Sequence, residues 1–497
     1  MTMLLRGGQM LDGATGRLDA GDVLIEGDGI AAVGPRLGAP AGAEVIDASP
    51  FIVIPGLINT HTHAHNNLLR GLIGRWTLED LLNHGPALNM NRTPEDHYLS
   101  AALGAVEMLK TGCTTAYDLF MAAPVPTPEG FEAVARAYTD VGMRAVLAPA
   151  VADIAFHETV PGLLDLLPKE LRRRVEALTP QPTERLIELT SATIRRWHGS
   201  AGGRVRVSVS PTIPTQCTEE FLSGCVRLVR EHGVGLHTHL LESKVQAIAA
   251  RARWGKTLVA RLHEIGMLGP HFVGAHAVWL TDTDIAMLAD AGAAIAHNPA
   301  SNLRLGSGIA AVREMLDRGV TVGLGTDGST SSDNQNLFEA MRLAGLLGNV
   351  RFPHDRDRWL EAADIWRVAT LGSARALGLA DHAGAIAPGR KADVVLLRAD
   401  STFLRPMSSP LGSLVYAETG SAVDTVIVDG RVVVREGRVL TVDEARLRAS
   451  AQAAADSLRG RNTAAWQLAD EIGPYLSEAC RAAVATPYPV NRYAAPV

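Results

Sequence analysis

The sequence predicts an α/β protein, with a (β/α)8 TIM-like barrel and a small composite β-sandwich built from both chain ends. Eight apolar, strand-like runs between residues 51 and 327 each precede a helical pattern or a long loop, which is typical of such a barrel. Short β-like stretches occupy both ends of the chain, and neither end alone has enough strands to bury a core. A doubly wound open sheet fits the same alternation, and the count of eight favours the barrel.

The N-terminal and C-terminal stretches are expected to share one sandwich. Strand-like segments punctuated by Gly and Asp occur at residues 22–26, 29–33 and 44–46. The same texture returns at residues 392–397 and 425–434. We therefore divide the chain into a first sandwich part, a barrel, a second sandwich part and a helical tail, at residues 1–54, 55–385, 386–440 and 441–497.

The barrel strands are predicted from apolar runs of strand length. The predicted strands are residues 51–58, 114–119, 144–151, 205–212, 233–240, 271–277, 293–299 and 320–327. One helix is especially clear, because Thr281 and Asp284 form a capping start and Gly292 closes it. After about residue 441 the chain becomes Ala-rich and helical, and we interpret this tail as a surface or subunit-contact appendage.

Composition narrows the class of protein. The 497 residues carry a net charge of −6 and no dense Lys/Arg run, which argues against a partner that is nucleic acid or an acidic membrane. The four cysteines are far apart, and neither a signal-peptide stretch nor a membrane-spanning run is evident. We expect a cytoplasmic enzyme that acts on a small-molecule substrate.

Histidine pairs follow two of the predicted strands. His61, His63 and His65 follow strand 1, and His237 and His239 lie in strand 5. Two His at positions i and i+2 of a strand point to the same side, so both imidazoles can reach one cation. An isolated pair is weak evidence, but pairs at the mouths of two barrel strands indicate a metal site.

Further polar residues end the later strands. Glu242 follows His239 by three residues, where one group can ligate a metal while the other takes a proton from an activated water. His276 ends strand 6, His297 ends strand 7, and Asp327 ends strand 8 between glycines. A lone His is more often structural, but the combined set of nitrogen and oxygen ligands suits zinc or another divalent transition metal.

These motifs resemble the amidohydrolase superfamily. Residues 55–63 (PGLINTHTH), 239–242 (HLLE), 275–276 (AH), 297–299 (HNP) and 325–328 (GTDG) look like its deaminase and chlorohydrolase branch. That branch includes S-adenosylhomocysteine-type and guanine deaminases and the s-triazine hydrolases. Residues 384–395 resemble the family's return into the composite sandwich, so the likeness runs from about residue 3 to 440.

The resemblance implies roles for individual residues. It implies four metal ligands: His61, His63, His239 and Asp327. It implies that Glu242 shuttles protons as acid and base, that His276 contacts the activated water or the developing oxyanion, and that Asp327 assists proton transfer. His65 and His237 match no ligand position and are expected to support or pack around the ligands.

The resemblance also implies the cofactor and the assembly. Strand 4, residues 205–211, has no lysine, whereas binuclear relatives bridge two metals through a modified lysine there. We therefore expect one divalent transition metal, with Zn²⁺ first and Fe²⁺, Co²⁺ or Mn²⁺ as alternatives. A homo-oligomer is also implied, with no subunit number fixed by the sequence.

Glu242 is the best guide to the reaction. Deamination needs a proton for the leaving amine, whereas halide needs none, so we predict hydrolysis of a carbon–nitrogen bond other than a peptide bond. The expected reaction is deamination of an aminated N-heterocycle of nucleobase, nucleoside or triazine type. The alternatives are hydrolysis of an exocyclic amide, urea or carbamate, dechlorination of a triazine, and a metal-binding scaffold without activity.

Substrate contacts are expected on the loops after the strands, and position is the only argument for them. The tryptophans among them can stack on a planar heterocycle. The candidates are Trp76, Gln216, Trp279, His297 and Asn302, together with Arg70, Arg75, Arg304 and the run 329–336.

Overall fold

The computed structural model describes residues 2–493, and the labels β1 to β18 and α1 to α20 follow chain order within them. The strands are β1 (Thr2–Leu11), β2 (Leu18–Glu26), β3 (Gly29–Gly34), β4 (Glu44–Asp47), β5 (Phe51–Pro55), β6 (Leu57–Thr62), β7 (Cys113–Phe120), β8 (Arg144–Val151), β9 (Val205–Val207), β10 (Ser210–Pro211), β11 (Leu236–Leu240), β12 (Phe272–His276), β13 (Ala294–His297), β14 (Thr321–Leu324), β15 (Val394–Arg398), β16 (Val423–Val428), β17 (Arg431–Arg435) and β18 (Arg438–Val439).

Helices follow or separate most of these strands. They are α1 (Leu78–Asn83), α2 (Gly85–Asn89), α3 (Pro94–Lys110), α4 (Pro128–Val141), α5 (Phe156–Thr159), α6 (Leu163–Leu166), α7 (Lys169–Glu176), α8 (Thr183–Trp197), α9 (Glu219–His232), α10 (Lys244–Trp254), α11 (Leu258–Glu264), α12 (Asp282–Asp290), α13 (Pro299–Arg304), α14 (Val312–Asp317), α15 (Leu337–Arg351), α16 (Ala362–Arg367), α17 (Ser373–Ala376), α18 (Pro410–Tyr416), α19 (Glu444–Arg461) and α20 (Thr463–Ala485).

Two parallel sheets form the centre of the α/β fold. One has the order β10-β8-β7-β6, with β9 also paired to β8, and the other has the order β11-β12-β13-β14. Every residue of β7 and β8 is buried, as expected for parallel strands that are covered on both faces. Helices between successive strands make this parallel arrangement possible.

Hydrogen bonds join the edges of the two parallel sheets on both sides. At one side the Asp327 amide donates to the His61 carbonyl over 2.9 Å. At the other side the His237 amide donates to the Val209 carbonyl, also over 2.9 Å. The carboxyl ends of β6, β11, β12 and β14 therefore meet at one end of the parallel core.

A nine-stranded mixed sheet contains strands from both ends of the chain. Its order is β18-β17-β16-β15-β5-β1-β2-β3, and β4 pairs with β1. The two ends meet where β5 runs antiparallel to β15, with Val53 opposite Leu396. One buried apolar cluster spans both contributions: Met3, Leu5, Val23, Ile25, Val53, Val394, Leu396 and Ile427 are among its members.

The predicted strand 51–58 is wrong as a single element. The structure divides it at Gly56, with β5 in the mixed sheet and β6 in the parallel sheet. A Cβ at Gly56 would lie 2.2 Å from the Thr114 hydroxyl oxygen, so only glycine allows the backbone to pass so close to β7. Because the run 51–58 is apolar throughout, hydrophobicity alone does not reveal that the chain passes from one sheet to the other at Gly56.

The predicted helix after Thr281 is confirmed as α12. Thr281 accepts a hydrogen bond from the Asp284 amide, and the Asp284 carboxylate accepts one from the Thr281 amide, which is a capping box. Gly292, just beyond the helix, has a φ of +67°, a conformation that glycine adopts without strain.

The tail is helical, and it packs against the end of the parallel core where the strand carboxyl ends meet. Helix α20 shares a buried apolar cluster with α6 and α7. Ile472 and Leu476 of α20 belong to it together with Leu163 and Leu171. The carbonyl of Val484 accepts a hydrogen bond from Lys244, at the start of α10. Across residues 2–493, no helix combines the length and the apolar composition needed to cross a membrane.

Candidate metal centre

The parallel strands bring the predicted ligand residues to one buried point. His61 lies in β6 and His63 directly follows it, His239 lies in β11, and Asp327 follows β14. Each of the four is at most 6% exposed. Together they form a group able to hold a metal ion, since one ligand atom from each lies within 4.8 Å of the others.

The distances between these ligand atoms are short. The Nε2 atoms of His61 and His63 each lie 3.2 Å from Oδ1 of Asp327. The Nε2 atoms of His63 and His239 are 3.1 Å apart. Three imidazole nitrogens and one carboxylate oxygen therefore converge on a single small volume.

Hydrogen bonds at the other ring nitrogen orient these imidazoles. His63 Nδ1 lies 2.8 Å from the Leu119 carbonyl, and His239 Nδ1 lies 2.6 Å from the Thr212 carbonyl. Because a carbonyl only accepts, each Nδ1 carries a hydrogen, and Nε2 is the ring nitrogen that can face a cation. His61 Nδ1 contacts His237 Nε2 at 3.2 Å, which gives His237 the supporting position expected from the sequence.

Protonation states at the centre suit a divalent cation. Burial lowers the pKa of His61 to about 3, so its imidazole is neutral. Burial alone would raise the pKa of Asp327, but the facing imidazoles of His61 and His63 hold it well below its usual value. Nε2 of His61 and Oδ1 of Asp327 are buried without a hydrogen-bond partner, so a cation between them would satisfy both atoms. The residues therefore fit a divalent metal.

Two serines fix the Asp327 carboxylate. Ser301 Oγ and Ser331 Oγ donate to Oδ2 over 2.6 and 2.7 Å, which leaves Oδ1 for the cation. Sequence reasoning assigned no role to Ser301, although it lies beside the 297–299 motif. Asp327 also has a φ of +62°, a left-handed conformation that is uncommon outside glycine and clusters at functional sites.

Glu242 lies beside the centre, and its carboxyl group has few polar partners. It is 1% exposed, and its Oε1 has no hydrogen-bond partner. Burial and the negative charge of Asp327 raise the pKa of Glu242 well above its usual value. Its Oε2 lies 3.5 Å from Nε2 of His276, so these two side chains can share a proton.

The side chain of Asn302 contacts His276, one of the predicted catalytic residues. Its Oδ1 lies 2.9 Å from Nδ1 of His276, the residue that ends β12 with a φ of +69°. The sequence placed Asn302 among substrate contacts, whereas the structure shows that its side-chain oxygen orients His276. His297 is buried in β13, and its Nδ1 has no hydrogen-bond partner.

A cavity of about 70 Å³ adjoins the centre. Beside His63, His239, Glu242 and Asp327, its wall is mainly apolar and includes Leu78, Leu81, Leu82, Leu88, Met121 and Ile213. Sequence reasoning missed these residues because an apolar side chain carries no chemical signal of ligand binding. His65 also lines the cavity and accepts a hydrogen bond from the Met121 amide.

Among the loop residues predicted to contact substrate, Ser331 of the run 329–336 lines this wall. The predicted tryptophans, Gln216 and the arginines lie outside it, as far as residues 2–493 define it. Trp279 is 1% exposed and packs edge-on against Tyr493, with ring centroids 4.8 Å apart, so neither ring face is free to stack on a ligand. Trp76 stacks on His84 at 4.2 Å. Gln216 is buried after β10, where its carbonyl accepts a hydrogen bond from the Ile154 amide.

Two of the arginine candidates also have partners of their own. Arg70 pairs with Glu107. Arg304 pairs with Asp333 at 2.9 Å and donates to the Ile73 carbonyl. Arg75 is an exposed loop residue.

Comparison with known proteins identifies the family. A sequence model described as the amidohydrolase family matches residues 52–433. The chain is 35% identical over 460 residues to a 5'-deoxyadenosine deaminase of Methanothermobacter thermautotrophicus, covering 92% of this chain and 99% of that one. It is 36% identical over 449 residues to a 5-methylthioadenosine/S-adenosylhomocysteine deaminase of Desulforudis audaxviator, covering 89% and 96%.

Solved structures give the same result. Atrazine chlorohydrolase TrzN from Arthrobacter aurescens, complexed with zinc, matches with a TM-score of 0.82 and 30% identity over 91% of this chain and 100% of that one. An adenosine deaminase from Xanthomonas campestris with bound zinc matches with a TM-score of 0.79 and 25% identity over 92% and 98%. With a family match over most of its length and relatives above 30% identity, this chain belongs to the amidohydrolase family.

Proposed function

We propose that this metal-dependent hydrolase deaminates an aminated N-heterocycle of nucleobase, nucleoside or triazine type. The observation that carries the proposal is Glu242, a buried carboxyl group with a raised pKa beside the cation centre. An amine leaves as ammonia only if a proton reaches it, and such a carboxyl group can deliver one. Relatives named as deaminases support the same reaction.

The proposed cofactor is one zinc ion held by His61, His63, His239 and Asp327. Three imidazoles and a carboxylate are typical zinc ligands, and both solved relatives described above contain zinc. A bound divalent metal acts as a Lewis acid and lowers the pKa of a coordinated water from 15.7 to about 7. The absence of lysine from residues 205–211 supports a single ion.

The protein's own side chains then move the proton. Oε1 of Glu242, which has no other partner, receives a proton from the attacking water and passes it to the leaving nitrogen. The raised pKa of Glu242 favours the protonated state between these two transfers. When His276 shares that proton, its positive charge faces the charge that develops on the substrate.

The apolar wall supports a planar heterocycle as the reacting group. Leu78, Leu82 and Ile213 line the cavity and offer flat apolar contact without competing hydrogen bonds. The likeness to a triazine hydrolase makes dechlorination the second candidate. Chloride needs no proton when it leaves, so Glu242 favours the amine. Hydrolysis of an exocyclic amide, urea or carbamate also uses a proton donor and is the third candidate.

We further propose that the two parallel sheets close into one (β/α)8 barrel over residues 55–385. The hydrogen bonds between both pairs of sheet edges support closure. The mixed sheet would fold over its shared apolar cluster as a β-sandwich of residues 1–54 and 386–440, followed by the tail at 441–497.

The test combines metal analysis with product analysis on one purified sample. The proposal expects about one transition metal per chain and release of ammonia from adenine, 5'-deoxyadenosine or an aminated triazine. Release of chloride from a chlorotriazine, or of an amine from a urea, without ammonia would move the assignment to the second or third candidate. A metal-free, active enzyme would contradict the cation centre.

A further inference from the structure

A second cavity lies beneath helix α20, next to the cation centre. It measures about 460 Å³, within the range of about 300–1,000 Å³ usual for ligand pockets. The cavity at the centre itself is smaller, at about 70 Å³. Leu78 lies in the walls of both cavities, so the two are neighbours.

The floor of the cleft carries two buried polar groups. Glu79 is 5% exposed, and its carboxylate accepts one hydrogen bond from Ser243, the residue after Glu242. Ser307 is 4% exposed, and its hydroxyl has no hydrogen-bond partner. An unpartnered buried hydroxyl is unfavourable unless a ligand satisfies it, which points to a bound group at this floor.

Charged groups of both signs line the cleft, so its buried polar groups rather than a net charge indicate the ligand. Lys244 also lines the cleft, and its Nζ donates one hydrogen bond, to the Val484 carbonyl. Burial raises the pKa of Glu79. A hydroxyl group can donate to this carboxyl group when it is ionised and accept from it when it is protonated, so a hydroxyl is the partner that suits Glu79 in either state.

Helix α20 forms the outer wall and the opening. Ser477, Arg481 and Ala485 line the cleft and are exposed, so the cleft opens to solvent along this face of the helix. Leu476 and Cys480 line it more deeply. All of these residues lie beyond the region 52–433 that matches the family, so this wall comes from the chain's own tail.

We infer that this cleft is the subsite for the part of the substrate remote from the reacting carbon. Glu79 and Ser307 hydrogen-bond a hydroxyl group of that part, and the tail sets the subsite's size. The inference rests on the proposed function, because it takes the cation centre as the place where the heterocycle reacts. The sugar of a nucleoside has hydroxyl groups of the required kind.

One test fills the cleft from its exposed wall. Ser477→Trp places a large ring at the opening, and Glu478→Trp, on an exposed position that does not line the cleft, is the matched control. Binding of 5'-deoxyadenosine and of adenine is measured by calorimetry with zinc-loaded protein that also carries Glu242→Gln. We expect Ser477→Trp to raise the Kd of 5'-deoxyadenosine at least about tenfold and to leave that of adenine within about twofold.

A second test removes the floor groups. With otherwise wild-type holoenzyme, Glu79→Gln and Ser307→Ala are expected to raise the KM for 5'-deoxyadenosine at least about tenfold relative to that for adenine, with metal content unchanged. Equal effects on both compounds, or none on either, would overturn the inference even if ammonia is released. Wild-type enzyme that binds 5'-deoxyadenosine with the expected sensitivity to Ser477→Trp but releases no ammonia would overturn the proposed function alone. Absence of both binding and turnover would overturn both.

Discussion

Replacing Glu242 by glutamine removes a proton carrier while keeping the size and shape of the side chain. Loss of a positioned general acid–base group costs about 10²–10⁴-fold in rate. Each tenfold corresponds to about 1.4 kcal/mol, so the activation free energy should rise by about 3–5 kcal/mol. Among the described residues, Glu242 lies in a group with two other side chains that could carry a proton or bind a metal, His276 and Asp327. One nitrogen or oxygen atom of each lies within 4.8 Å of the others.

Neither neighbour can replace Glu242 as a proton donor at neutral pH. The facing imidazoles hold the pKa of Asp327 well below its usual value, so it has no proton to give. Burial lowers the pKa of His276, so it too is unprotonated before the reaction. The loss should therefore fall in the upper half of the range, at about 10³-fold or more in kcat.

The assay follows kcat for ammonia release and metal content on the same preparations. Glu242 is not among the four proposed ligands, so Glu242→Gln should keep about the wild-type amount of metal. Glu264→Gln, at an exposed position on α11, is the control and should behave as wild type. If the kcat of Glu242→Gln is within about tenfold of the wild-type value, Glu242 is not the proton carrier.

Three further predictions concern the ligands, their support and the pH dependence of stability. His239→Ala should lose metal and activity together, and a fully metallated, active variant would place the site elsewhere. Ser331→Ala should weaken metal affinity about 10–100-fold in a chelator competition, because Asp327 loses a fixing hydrogen bond; unchanged affinity would contradict that role. Burial lowers the pKa of His157 to about 4 from 6.5, so its stabilising contribution is present above pH 6.5 and is lost as pH falls toward 4. Between pH 6.5 and 4, wild type should lose about 3 kcal/mol more unfolding free energy than His157→Gln. The control His263→Gln, at an exposed position, should match wild type. Parallel curves of unfolding free energy against pH for wild type and His157→Gln would contradict the lowered pKa of His157.

The convergence of the four proposed ligand residues could be predicted from the sequence because their signal is local. His61 and His63 are two positions apart on one strand, and His239 and Asp327 end other strands of the same kind. Parallel strands then bring these ends together whatever the loops do. Burial of the strands was equally predictable, since their apolar runs have no polar face.

Other features depend on contacts between distant segments, which periodicity does not reveal. The division of the run 51–58 depends on how close Gly56 passes to Thr114. The contact of Ser301 with Asp327 requires helix α13 to meet the segment after β14, and the two residues are 26 positions apart. Trp279 packs against Tyr488 and Tyr493 of the tail, a contact between distant segments that its loop position does not reveal.

The proposed mechanism depends on a single cation held by three histidines and one aspartate. Anomalous diffraction at the zinc edge can detect that cation directly. Crystals of the enzyme as purified should show one strong peak per chain, bound by Nε2 of His61, His63 and His239 and by Oδ1 of Asp327. Zinc–nitrogen distances should be about 2.0–2.1 Å. No peak at any transition-metal edge, a second metal in the same pocket, or a peak bound by other residues would contradict the account.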